Sequence, residues 1–358
     1  MVPTLMQPFL FEPLPWRVIF GVGALEELPE EVGRLGVGKA LVLCTPEQRP
    51  VAEDVARRLG EMAVGIHDGA VMHVPVEVAR AARAQATLLG ADCCVAVGGG
   101  STIGLGKAIA LEFGTPIVAV PTTYAGSEMT PIWGMTEAGV KKTGTDRRVL
   151  PRAVIYDPTL TLSLPPALSG VSGMNAMAHC VEALYARNAN PVISLMAEDG
   201  IRALSRSLPR VVRAPEDLEA RTEAQYGAWL AGASLGAVGM AIHHKLCHTL
   251  GGTLNLPHAE THTVVLPHAV AYNRLVVPEA MARIAAALGA QDAAGGLYDL
   301  AVAVGARTSL RDLGMREADI DRVTELATAA PYWNPRPITR EGVRALLFDA
   351  FEGRRPTR

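Results

Sequence analysis

Six of the nine histidines, His243, His244, His248, His258, His262 and His268, fall within one short stretch of the chain. Imidazole is the side chain that can bind a metal, pass a proton or steady a developing oxyanion near neutral pH. A lone histidine is more often a helix-surface or core residue than a functional one. A cluster this dense points to a chemical centre. His179 stands apart, in Met174-Asn175-Ala176-Met177-Ala178-His179. On a helix, positions four apart share a face, which pairs Asn175 with His179 and His244 with His248. Pro257-His258 reads as the start of another helix. His179, His244 and His258, converging from separate helices, could offer nitrogen ligands to zinc or ferrous iron. The carboxylate that would complete such a set is missing one turn before His179, because position 175 is asparagine. A neutral amide binds a divalent cation much more weakly than a carboxylate.

Those residues need a scaffold, and the chain offers two kinds. Up to about residue 159, short apolar runs alternate with helical patterns. Strands are expected at 17–20, 40–44, 93–97 and 116–120, with helices at 24–34, 51–59, 75–89 and 102–112. Such alternation predicts an α/β domain with a mostly parallel sheet covered on both faces. From about residue 160 to the end, the apolar spacing is helical, which predicts an all-α second domain. The Ala-rich piece from Ala285 to Gly296 reads as two helix ends and a turn. The histidines lie in the helical part.

Composition narrows the possible partners. Hydrophobic residues make up 49% and charged residues 19%, as in a well-cored globular protein. A net charge of -3 and a pI near 6.3 give no footprint for nucleic acid or an anionic membrane. Cys44, Cys93, Cys94, Cys180 and Cys247 lie in apolar segments with no CxxC spacing, as expected of reduced, buried thiols in a cytoplasmic protein. The segment from Met1 to Trp16 has no Lys or Arg and four prolines, so it reads as neither signal peptide nor anchor. No apolar run reaches membrane-spanning length.

Two loops in the first half look built for a nucleotide. Gly98-Gly99-Gly100-Ser101 lies between a strand and a helix, where glycines admit close backbone approach and the helix N-terminus favours phosphate. It is neither the GxGxxG fingerprint nor a Walker loop. Lys107, further along that helix, reads as solvated. The next strand runs into Pro121-Thr122-Thr123-Tyr124-Ala125-Gly126-Ser127-Glu128, a hydroxyl-rich loop at a carboxyl strand end. Thr45, at the end of the second strand, neither binds the ribose hydroxyls strongly nor repels a 2′-phosphate, so NADPH should be tolerated alongside NADH.

Together, the two loops, the Asn175/His179 helix and the run from His244 to Pro257-His258 resemble the iron-containing alcohol dehydrogenase family over most of the chain. The resemblance implies a dinucleotide domain facing a helical domain. It also implies a metal held by one Asp and three His, of which His179, His244 and His258 match and Asn175 does not. His248 matches a family histidine near the nicotinamide, and a family lysine that reaches the cofactor falls on Lys141 or Lys142, with Lys142 preferred. A homodimer is implied as well. More narrowly, Tyr124 to Gly134, Asn175 and His243-His244-Lys245 resemble the maleylacetate reductases of that family. These use NADH or NADPH to reduce the carbon–carbon double bond of 2-maleylacetate to 3-oxoadipate in aromatic catabolism.

The expected catalytic set is therefore Asn175, His179, His244, Lys245, His248 and His258, with Tyr124. The expected cofactor set is Thr45, Gly98, Gly99, Gly100, Ser101, Thr122, Thr123, Ser127 and Lys142, with no metal required. Lys245 is either a solvated helix lysine or a cation for the dicarboxylate substrate. Tyr124 either hydrogen-bonds a carboxylate or packs beneath its loop. Trp133, His67 and His73 read as structural. Two other readings stay open: an iron- or zinc-dependent alcohol or polyol dehydrogenase of the same fold, and a nucleotide-binding protein without catalysis.

Overall fold

The computed structural model describes residues 8–137 and 140–357, without the side chains of residues 140 and 141. The sequence reading over Met1–Gln7 lies outside them. Among the described residues there are eight strands: β1 Val18–Phe20, β2 Ala40–Leu43, β3 Ala63–His67, β4 Cys93–Gly98, β5 Ile117–Pro121, β6 Ile132–Glu137, β7 Val140–Thr145 and β8 Ala153–Tyr156. Between them run α1 Leu28–Arg34, α2 Arg49–Leu59, α3 Val76–Leu89 and α4 Gly100–Phe113. Six strands form one parallel sheet in the order β1-β8-β5-β4-β2-β3. β2, β4, β5 and β8 are buried along their whole length, as a sheet covered on both faces requires.

This order decides where a ligand can sit. From β2 the chain steps to one side to form β3, then crosses back to place β4 on the other side of β2. The carboxyl ends of β2 and β4 therefore flank a topological switch point, the usual crevice for nucleotides in open α/β sheets. Thr45 follows one of these strands and the Gly98–Ser101 turn follows the other.

After β8 the chain is helical: α5 Pro166–Ala183, α6 Pro191–Arg213, α7 Leu218–Ala237, α8 Ile242–Leu254, α9 His258–Asn273, α10 Pro278–Leu288, α11 Ala293–Ala303, α12 Asp319–Thr328 and α13 Arg340–Glu352. α5 is the centre of this half. Every residue from Gly173 to Ala183 is buried, and α6, α7 and α9 pack around it. Its small residues permit that packing: a leucine-sized side chain at Gly173 would collide with Leu208. Asn175, His179 and Glu182 are thus polar groups on a helix that faces protein on all sides. Such placement is costly unless each group is used.

Several elements depart from the sequence reading. β3, the antiparallel β6–β7 hairpin and β8 were not among the expected strands, and α12 lies in a stretch without an assigned helix. Lys107 is a correction. Instead of being solvated, it is 1% exposed, and its ammonium donates to the carbonyls of Ser127, Thr130 and Ile132 and to Thr130 Oγ1 at 2.7–3.0 Å. Burial pushes its pKa down to about 7, and Glu128 opposes the fall. No helix among the described residues is long and apolar enough to cross a membrane.

Candidate active site

The cofactor side is built first. Gly98 has φ +151, and a side chain there would strike Gln48 and Thr102 within 2.5 Å. A Cβ on Gly99 would lie 2.9 Å from Thr123. Glycine is thus required for the turn and for the approach of the two loops, and α4 begins at once with its unpaired amides. The Gln48 amide donates to Thr122 Oγ1, which ties the end of β2 to the end of β5 across the crevice. Thr45 lies beside it, extended and half-buried. The residues fit a dinucleotide: glycine backbone and helix N-terminus for the pyrophosphate, hydroxyls along the rim. Lys142 lies on the β6–β7 hairpin, exposed and paired with Glu137 at 2.7 Å.

The second loop connects this crevice to the helices. Gly126 takes φ +84, and a Cβ there would sit 3.1 Å from Gly232 of α7 and 3.4 Å from Nδ1 of His179. Ser172 on α5 accepts from the Tyr124 amide through Oγ at 3.1 Å. Tyr124 itself is a correction. Its ring is wholly buried in the core beside α5, and its hydroxyl neighbours Arg221 and Thr161, so it packs beneath the loop and does not face a substrate. Ser127 opens the turn that Lys107 holds from below.

The helical side has a residue that pattern reading missed. Glu182, fully buried, lies three and seven positions beyond His179 and Asn175 and shares their face. Its carboxylate accepts from the Ala241 and His243 amides, both at 2.9 Å, and so caps α8. It also accepts from Nδ1–H of His244 at 2.7 Å. One carboxylate therefore fixes the start of α8 and the tautomer of its second histidine, leaving His244 Nε2 buried with no hydrogen-bond partner. The available signal was its spacing from His179. The ring of His179 stacks on His244 with centroids 5.1 Å apart, and His248 follows at 6.2 Å. Burial and the neighbouring histidines hold His179 well below the ordinary imidazole range, so it is neutral at pH 7. Asn175 Oδ1 is buried and has no hydrogen-bond partner. His248 and His258 are exposed, on the open side. Lys245 is half-buried with Nζ 5.7 Å from the ring centroid of Tyr332.

His262 and His243 form a second, deeper pair. Nε2 of His243 and Nδ1 of His262 are 2.9 Å apart, with Cys247 Sγ 3.7 Å from the former. His67 is held by Gln85 at 2.6 Å, within the nucleotide half, as a structural residue would be.

Comparison with known proteins fixes the lineage. Residues 15–158 match the iron-containing alcohol dehydrogenase model, and residues 170–351 match the C-terminal model of the same family. The chain belongs to the iron-containing alcohol dehydrogenase family. Within it, the chain is 58% identical to a maleylacetate reductase of Burkholderia cepacia, over 98% of this chain and 100% of the relative. It is 57% identical to one from Sphingobium indicum, over 97% and 99%. The crystal structure of maleylacetate reductase from Rhizobium sp. superposes with a TM-score of 0.95 at 54% identity, covering 98% of this chain and 100% of that one.

The metal that gives the family its name finds a poor donor set here. Three imidazoles remain, but the fourth position offers only the neutral Asn175 amide. The nearby carboxylate, Glu182, is engaged by two backbone amides and the His244 ring. No anionic ligand is left to offset a divalent charge, and the set does not fit a ferrous ion of the family type.

Proposed function

We propose that the protein reduces the carbon–carbon double bond of 2-maleylacetate, using NADH or NADPH and no metal, to give 3-oxoadipate. The observation that carries this reading is Asn175, one turn before His179 in a histidine site that otherwise keeps the family's pattern. The names of the relatives support the substrate. Reducing an isolated ketone puts alkoxide charge on one oxygen, where a Lewis acid helps by several kcal/mol. Maleylacetate carries its alkene in conjugation with a ketone. Adding hydride at the carbon β to that ketone spreads the charge into an enolate, which hydrogen-bond donors can stabilise.

The reduced nicotinamide supplies the hydride when bound in the crevice between β2 and β4. The chain's own residues then do the rest. Glu182 accepts from Nδ1–H of His244 and pairs with the ring's protonated form, in which Nε2–H can donate to the substrate oxygen. Neutral His179 and the Asn175 amide line the same face as hydrogen-bonding groups. Lys245, on the outer side of α8, supplies a cation for the carboxylates of a dianionic substrate, and His248, one turn beyond His244, adds a hydrogen-bonding group at the reacting end. One donor of this kind contributes about 3–4 kcal/mol to the transition state. A proton taken up at the carbon α to the ketone completes the product. A homodimer, drawn from the family, is the assembly we expect.

The test follows NADH absorbance with maleylacetate and with simple aldehydes as alternative substrates. Turnover of maleylacetate with release of 3-oxoadipate is the expected result. Reduction of aldehydes alone would replace this reading with that of an alcohol dehydrogenase. That second reading has one observation in its favour: a buried histidine nitrogen without a partner, backed by a carboxylate, is also how a metal ligand is oriented.

A further inference from the structure

We propose that His243, Cys247 and His262 form a metal site for zinc, with ligands of its own but adjoining the reacting centre: the His262 ring centroid lies 5.1 Å from that of His244 and 4.4 Å from that of His258. His243 and Cys247 are four apart on α8, and His262 faces them from α9. All three are buried, at 0%, 1% and 1% exposure, and their ligand atoms lie within 4.8 Å of one another. A tetrahedral zinc with bonds of about 2.3 Å to sulfur and 2.0–2.1 Å to nitrogen separates S from N by about 3.6 Å and N from N by about 3.4 Å. Cys247 Sγ already stands 3.7 Å from His243 Nε2. The two ring nitrogens, at 2.9 Å, need to part by roughly 0.5 Å, a small adjustment for two side chains on neighbouring helices.

The chemistry of the donors agrees. One thiolate and two imidazoles suit zinc far better than the amide-containing set around His179. Binding releases the thiol proton to solvent, and the hydrogen shared between the rings moves to an outer ring nitrogen. No oxidation is involved. Two positive charges would then meet one thiolate ligand, with the Glu182 carboxylate, already engaged by the His243 amide at 2.9 Å and the His244 ring, held behind the site. An ion with three protein ligands keeps a fourth position for water. The site ties the first turns of α8 to α9 and leaves His244 on its own face of the helix.

Cobalt is the probe, because a thiolate ligand gives it a charge-transfer band in the near ultraviolet. Chelator-dialysed enzyme is incubated with Co²⁺ and then displaced with Zn²⁺. One cobalt per chain with the band is expected for the unaltered protein and for His258→Asn. Loss of the band is expected in Cys247→Ser and in His262→Asn. A melt of each apo variant separates loss of a ligand from loss of the fold, and Zn²⁺ should raise the melting temperature only where the three ligands are intact. Cobalt binding with no thiolate band, or a band that persists in Cys247→Ser and disappears in His258→Asn, overturns the proposal. So does the absence of any bound ion. None of these outcomes depends on whether maleylacetate is the substrate.

Discussion

Glu182 sets the position of His244, and its charge is the means. In Glu182→Gln the neutral amide keeps the volume but gives up the carboxylate that orients the imidazole, so kcat should fall about 10–100-fold. A fall in kcat with an unchanged melting curve supports orientation of the ring. An equal loss of stability and activity would mean Glu182 is only a helix cap. The histidines divide in the same way. His244→Asn or His248→Asn should lower kcat by about 10²–10³-fold, the usual cost of one transition-state donor. His262→Asn and His268→Asn should largely keep kcat, because one ring lies in the deeper pair and the other beyond it on α9. If the second pair loses activity and the first keeps it, the cleft is on the other side of the cluster. At this scale the sequence showed histidines by type and spacing. Which ring a carboxylate holds depends on Glu182, whose partners are 59 to 62 residues away in the chain. Tyr124 shows the opposite failure: a polar residue in a functional loop that the fold turns into the core.

The loops at the ends of β2, β4 and β5 carry the cofactor prediction. Thr45→Asp should shift preference toward NADH, since a carboxylate at that strand end repels a 2′-phosphate. The check is kcat/KM for both cofactors in both forms, and an unchanged ratio would place the ribose elsewhere. These strands were legible because each is a short apolar run closed by turn residues and buried on both faces. β3 was not, because its Ala63-Val64-Gly65-Ile66-His67 run sits half-buried at the sheet edge and carries a weak pattern. The β6–β7 hairpin was also hidden, since Lys141-Lys142-Thr143-Gly144 reads as a polar loop. Lys107 escaped for a physical reason of its own. A lysine inside a helix is ordinarily solvated, and only the return of the Ser127–Ile132 segment over α4 gives its ammonium four acceptors.

Over the whole molecule, a nucleotide crevice and a helical histidine site meet where the Gly126 turn touches His179. That arrangement suits hydride delivery to a substrate held between the two halves. The change from carboxylate to amide at position 175 is the single residue on which the metal-free mechanism turns. The direct test is to dialyse the enzyme against a strong chelator, confirm by metal analysis that it is stripped, and assay maleylacetate reduction with NADH. The account predicts that kcat is retained without added metal and that ferrous iron or zinc brings no increase. Loss of most activity, restored only by iron or zinc and still restored in Cys247→Ser, would contradict it.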